Sequence, residues 1–85
     1  MKNYLHIGQD TVILSSEIVG IFDLDNCTVS KNTRDFLTRA EKEKRVVTAS
    51  EELPKSFIVC RESGKDIIYI SPISSQTLLK RKGRL

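Results

Sequence analysis

Tryptophan is missing from this 85-residue chain, and aromatic residues of all kinds make up only 6% of it. That is too few for a platform on which successive bases of a single strand could stack. Cysteine is nearly as scarce. Cys27 and Cys60 are the two present, far apart in sequence, with no C-x-x-C and no Cys/His cluster. A disulfide framework and a zinc site of the usual spacings are therefore not indicated, and no cofactor or metal is implied. In a reducing cytosol both are expected as free thiols. Cys60, following Phe57-Ile58-Val59, is expected to pack as a small hydrophobe. No run approaches the roughly 18 apolar residues of a membrane span. The start, Met-Lys-Asn-Tyr-Leu-His, has no apolar core of signal-peptide length. A cytoplasmic location without a membrane partner is expected. Repeats, linkers and low-complexity tracts are also lacking.

What remains is the composition of an ordinary folded protein, 39% hydrophobic and 29% charged. Formal net charge is +3 and the sequence pI about 9.0. That balance suggests an anionic partner only weakly, because many basic proteins bind no nucleic acid. The length fits one domain over 1–85, burying about 60% of the surface its unfolded chain exposes.

Leu5 and Ile7 alternate with His6, a short strand pattern. Gly8-Gln9-Asp10 reads as a turn and Thr11–Leu14 as the returning strand. Ser15-Ser16 is a second break before the β-branched and aromatic run Ile18–Leu24. Three short strands with tight connections suggest an antiparallel meander. His6, between apolar residues and without a nucleophile to serve, reads as an exposed strand residue.

The period then changes. Val29, Thr33, Phe36, Leu37 and Ala40 fall on one helix face, with Ser30 as N-cap. Lys31, Arg34, Asp35, Thr38, Arg39, Lys42 and Glu43 take the other positions, the pattern of a solvated face. The helix should end near Lys44-Arg45, where cations suit the C-terminal dipole. Val46-Val47 reads as a very short strand and Thr48–Pro54 as a polar loop. Ser56–Arg61 and Ile67–Ser71 read as strands joined by a hairpin turn at Ser63-Gly64-Lys65-Asp66. Pro72 stops the second, since it cannot donate to a ladder. Ser74 or Ser75 can cap a last short helix.

The expected fold class is α+β: a small, mostly antiparallel β-sheet with one main helix near 30–44 and a short C-terminal helix near 74–81. Phe36 and Leu37 should be buried against the sheet. Strands such as Ile67–Ile70 should leave apolar edges that self-association would cover. The chain closes with a basic tail, 80–85, in which Lys80, Arg81, Lys82 and Arg84 are uninterrupted by any acid. It reads equally well as a solubilising tail or an anion-binding one.

Ile21-Phe22-Asp23-Leu24-Asp25 could be the D-x-D of a Mg²⁺-dependent phosphatase-like enzyme, Asp23 attacking phosphorus and Asp25 doing acid/base work. It could instead be a buried strand leaving the core at residues that favour turns. Length argues for the strand, because a doubly wound sheet needs several crossovers of about 30 residues each. The later acidic cluster is absent too: Glu51-Glu52, the only adjacent acidic pair, precedes both Lys55 and Lys65. No catalytic residue is expected.

Five segments recur in order and spacing in one known family: Leu5-His6-Ile7-Gly8, Ile18–Asp23, Leu53–Val59, Ile68-Tyr69-Ile70-Ser71 and Thr77–Arg81. Over nearly its whole length the chain resembles the RemA/RemB extracellular-matrix regulatory family of Gram-positive bacteria. The resemblance implies a small transcriptional regulator that assembles into a ring and binds double-stranded DNA through arginines on each subunit. A closed ring multiplies the few cations of one subunit. Phosphate neutralisation then dominates affinity and makes it salt-sensitive.

The chain departs from that pattern before Phe57. Most arginines of the family's basic loop fall here on Glu52, Leu53 and Pro54, and only Lys55 keeps a cation. Lys cannot reproduce the bidentate grip of a guanidinium on phosphate. The DNA-binding candidates are therefore Lys55, Arg34 and the terminal group Lys80, Arg81, Lys82 and Arg84. No helix combines Arg, Asn and Gln at recognition-helix spacing, so contacts to the phosphate backbone are expected rather than base reading. The other functional class is a protein-interaction module of the same fold that never touches DNA, for which Glu51-Glu52-Leu53 speaks.

Overall fold

A computed structural model describes residues 3–24 and 31–82. Asp25, Cys27, Val29, Ser30 and Arg84, to which roles were assigned above, lie outside the described residues. Along the chain come β1 (Tyr4–Gly8), β2 (Thr11–Leu14), a 3-10 turn (Ser15–Glu17), β3 (Ile18–Asp23), α1 (Lys31–Lys42), β4 (Val46–Thr48), β5 (Ser56–Glu62), β6 (Lys65–Ser71) and α2 (Ser75–Lys82). The α+β class holds, and the boundaries fall within a few residues of expectation.

The strands divide into two sheets. β1 and β2 form an antiparallel hairpin, and the others form a four-stranded sheet in the order β3-β5-β6-β4. The expected meander is therefore not formed: β3 leaves the hairpin and pairs with β5. The reason lies in Ile18 and Ile21, which pack onto the core shared with Leu5, Ile7 and Ile13 and so set β3 over the hairpin rather than beside it. The β4–β6 pair is parallel and the rest antiparallel. The strand at 67–70 lies inside the sheet; the free edges are β3 and β4.

Alternation along β5 sorts the core into two layers. Ile58 and Cys60 face the hairpin and α2, packing with Leu5, Ile7, Ile13, Ala49 and Leu78. Phe57 and Val59 face α1, packing with Ala40 and Ile68. The molecule is thus three layers deep: α1, the four-stranded sheet, then the hairpin with α2. Ser71 ties the last two together. Its buried hydroxyl donates to the Ile7 carbonyl at 2.5 Å and accepts the Ile73 N–H at 3.0 Å.

Local chemistry ends each element. Ser63 and Gly64 take positive φ, 52° and 81°, as a two-residue hairpin turn matching strand twist requires. The end of α1 is a Schellman motif, with Arg45 N–H on the Ala40 carbonyl and Lys44 N–H on that of Glu41. Lys44 sits at its left-handed position, φ 59°, where glycine is usual. Ser74 caps α2, its hydroxyl accepting the Thr77 N–H at 3.3 Å. Phe36 and Leu37 pack against the sheet as expected, but only half-buried.

Candidate nucleic-acid interface

The polarity of the strands decides which cations meet. β3, β4 and β6 all run one way, so Glu17, Lys44, Arg45 and Asp66 lie at one end of the sheet. Leu24, Lys55 and Ser71 lie at the other, with the loop that precedes β5.

Lys55 is held firmly through its backbone. Its N–H donates to the Ser71 carbonyl at 2.8 Å, and its carbonyl accepts the Leu24 N–H at 2.9 Å. The side chain is exposed. Residues 51–54 beside it are exposed as well, with Leu53 at 80%. Glu51 and Glu52 therefore share that tip with Lys55, and the loop by itself is not a positive surface.

Arg34 stands on the outer face of α1, exposed, in the layer facing Phe57 and Val59. Lys80, Arg81 and Lys82 form the last turn of α2, in the layer facing Ile58 and Cys60. They belong to a helix rather than to a tail beyond it. The sheet lies between Arg34 and these three, so the candidates are not gathered into one cluster.

Their partners differ too. Among the described residues the side chains of Arg34, Lys55, Lys80 and Lys82 have no hydrogen bond or ion pair. Arg81 donates to the His6 carbonyl at 3.2 Å, which pins α2 to β1. The other arginines of the sheet end are committed to the fold. Arg45 holds Glu43 at 2.8 Å and the Asp66 carbonyl at 2.8 Å. Arg61 pairs with Asp66 at 3.1 Å. The hollow lined by Glu43, Arg45, Lys65 and Asp66 holds equal charge of each sign and is poorly suited to an anion. Arg39 and Lys42, assigned above to a solvated helix face, line a shallow hollow on α1 with Asp35 and Thr38. Their three-residue spacing was the signal that they would meet.

The D-x-D reading has no fold to sit in. Asp23 ends β3, whose neighbour β5 is antiparallel, so no parallel doubly wound sheet presents a carboxyl edge there. Among the described residues no group of His, Cys, Asp and Glu is placed to hold a metal. Cys60 is fully buried, and burial first, then the charges of Glu62 and Glu17, pushes its thiol up to about 12. It is no nucleophile. Among the described residues no helix is long and apolar enough to cross a membrane.

A second surface lies on the α1 side of β3. Ile18 pairs with Cys60 and Gly20 with Val59, so Val19 is the extra residue of a β-bulge. Val19 and Phe22, 62% and 43% exposed, line a groove of about 410 Å³ with Phe36, Phe57 and Val59. The outer face of the hairpin exposes Tyr4 and Val12, 53% and 52%.

Comparison with known proteins agrees with the resemblance. The sequence profile of the RemA-like family, described as "Extracellular matrix regulatory protein A-like", matches residues 4–81. The chain is similar to Extracellular matrix regulatory protein B of Bacillus subtilis (strain 168), at 38% identity over 78 residues, which cover 92% of this chain and 88% of that protein.

Proposed function

The chain belongs to the RemA-like family of extracellular matrix regulatory proteins, and from that premise we propose that it is a cytoplasmic, non-enzymatic transcriptional regulator that binds double-stranded DNA as a ring-like homo-oligomer. The observation that carries the DNA reading is the last turn of α2. Lys80, Arg81 and Lys82 are exposed there, and α2 contains no acidic residue. Cations at a helix C-terminus also suit the dipole, but that requires one or two, not an exposed run. Lys55 and Arg34 add further unpaired cations on other layers. Such a spread suits phosphate contacts along a bent duplex rather than one reading head.

Self-association has its own support. The exposed apolar residues of β3 and that of β4 lie at the two opposite edges of one sheet. Two distinct patches favour a head-to-tail contact, which closes into a ring when the rotation allows. Multiplication around the ring would turn weak cation–phosphate contacts into useful affinity.

One observation favours a protein partner instead. Glu51 and Glu52 share the exposed loop with Lys55, and Leu53 between them is 80% exposed, a surface better suited to protein than to phosphate. Titration of a long duplex with the wild-type protein across a range of salt separates the readings. Binding that falls steeply with salt supports the regulator. Absence of binding near 50 mM salt, where backbone contacts are strongest, leaves the interaction module.

A further inference from the structure

An edge strand is a row of unpaired backbone groups, and proteins blunt it with charge, proline, a bulge, short length or a covering element. In the four-stranded sheet the free edges are β3 and β4, and among the described residues no strand pairs with the outer side of either. β3 is bulged at Val19 and β4 is only three residues long, but neither Ile18–Phe22 nor Val46–Thr48 carries a charged residue or proline. Each edge also exposes apolar side chains: Val19 and Phe22 on β3, Val47 on β4.

The two edges run in the same direction. β3 is antiparallel to β5, β5 to β6, and β4 is parallel to β6. A second copy related by rotation about an axis along the strands therefore brings its β3 beside this β4 in parallel, start beside start. The charges at those starts are complementary. Glu17 immediately precedes β3, whereas Lys44 and Arg45 precede β4. Arg45 is already engaged with Glu43 and Asp66. Lys44 is exposed, and its side chain has no partner among the described residues. It also occupies a left-handed position, φ 59°, that glycine would adopt with less strain.

We propose that β3 of one copy pairs in parallel with β4 of the next, with Glu17 against Lys44 across the joint, extending the four-stranded sheet from subunit to subunit. The proposal rests on the self-association read above and specifies its interface. It leaves the loop before β5 and the last turn of α2 outside the joint.

A charge exchange tests it. Lys44→Glu sets like charges at every joint, and so does Glu17→Lys. Each variant alone, shown to be folded by circular dichroism, should need about tenfold more protein than wild type to assemble. An equimolar mixture should regain assembly near the wild-type concentration, because an alternating order restores an opposite-charge pair at every joint of an even-numbered ring and at all but one of an odd-numbered ring. The double variant should regain it as well. Light scattering at low salt reads all four samples. Val19→Lys, at an exposed position on the β3 edge, should prevent assembly whatever the charges.

Single variants that keep the wild-type assembly, or a mixture no better than either variant, overturn this joint while the oligomer stands. Loss of assembly in Val19→Lys alone points to β3 pairing with β3 and also overturns it. A wild-type protein that stays at 9.6 kDa at every concentration removes the oligomer itself.

Discussion

The ring of Phe22 stacks on that of Phe57, with centroids 4.9 Å apart and planes inclined by 18°. The two residues are direct cross-strand partners in the β3–β5 ladder. Gly20 makes room for the stack: a Cβ there would stand 2.8 Å from the edge of the Phe22 ring. Gly20→Ala should swing that ring away and forfeit the aromatic stacking, at a cost of about 1 kcal/mol. Urea denaturation reads the loss. An unchanged midpoint would show that the ring has another resting place of equal energy.

Ser71→Ala should be costlier. It deletes a buried hydroxyl that serves two backbone groups, leaving the Ile7 carbonyl and the Ile73 N–H without that partner. A buried polar group left unpaired costs about 1–3 kcal/mol. The hairpin layer should loosen first, seen as faster amide exchange in β1 than in β5.

Stability should fall at alkaline pH. The Cys60 thiol is raised from 9.0 to about 12 by burial and by the charges of Glu62 and Glu17. Tyr69 is raised also, by burial and by its hydrogen bond to Glu62. Each stays neutral in the folded chain at a pH where the unfolded chain has ionised it. Their contribution is complete below pH 9 and is lost progressively as pH climbs toward 12. Cys60→Ala should flatten that decline, and native Cys60 should resist alkylation at pH 8. Rapid labelling of Cys60 in the folded protein would contradict its burial.

Lys80→Ala combined with Lys82→Ala should weaken binding to unrelated duplexes alike and lower the salt slope by about one unit for each phosphate no longer neutralised. Arg81 is spared in this design because it also holds the His6 carbonyl. Lys55→Ala should act in the same direction. A loss confined to one DNA sequence would speak for base reading instead.

No Mg²⁺-dependent hydrolysis of a generic phosphate ester is expected. Turnover abolished by Asp23→Asn in a still-folded protein would falsify the non-enzymatic reading.

Much of the fold was legible in the sequence because it is written in local chemistry. Alternation marked β1 and the turn after it β2, the 3.6-residue period marked α1, Ser63-Gly64 marked the tight hairpin turn, and the pair Ser74-Ser75 marked the start of α2. Each depends on side chains a few residues apart, whose preferences survive whatever the rest of the chain does. The lack of charge in Ile18–Phe22 was legible too, but not its meaning. Tertiary structure alone decided that β3 leaves the hairpin, that the strand at 67–70 is interior, and that β3 and β4 are the edges. Strand partners are chosen by which apolar faces remain uncovered once distant segments pack, and no local pattern records that choice. The basic residues follow the same division. Their number and order are fixed by the sequence. The fold placed Arg34 and Lys80–Lys82 on opposite sides of one sheet and committed Arg45 and Arg61 to acids at its end, because layer assignment follows from the alternation of β5 and the path of the chain around it.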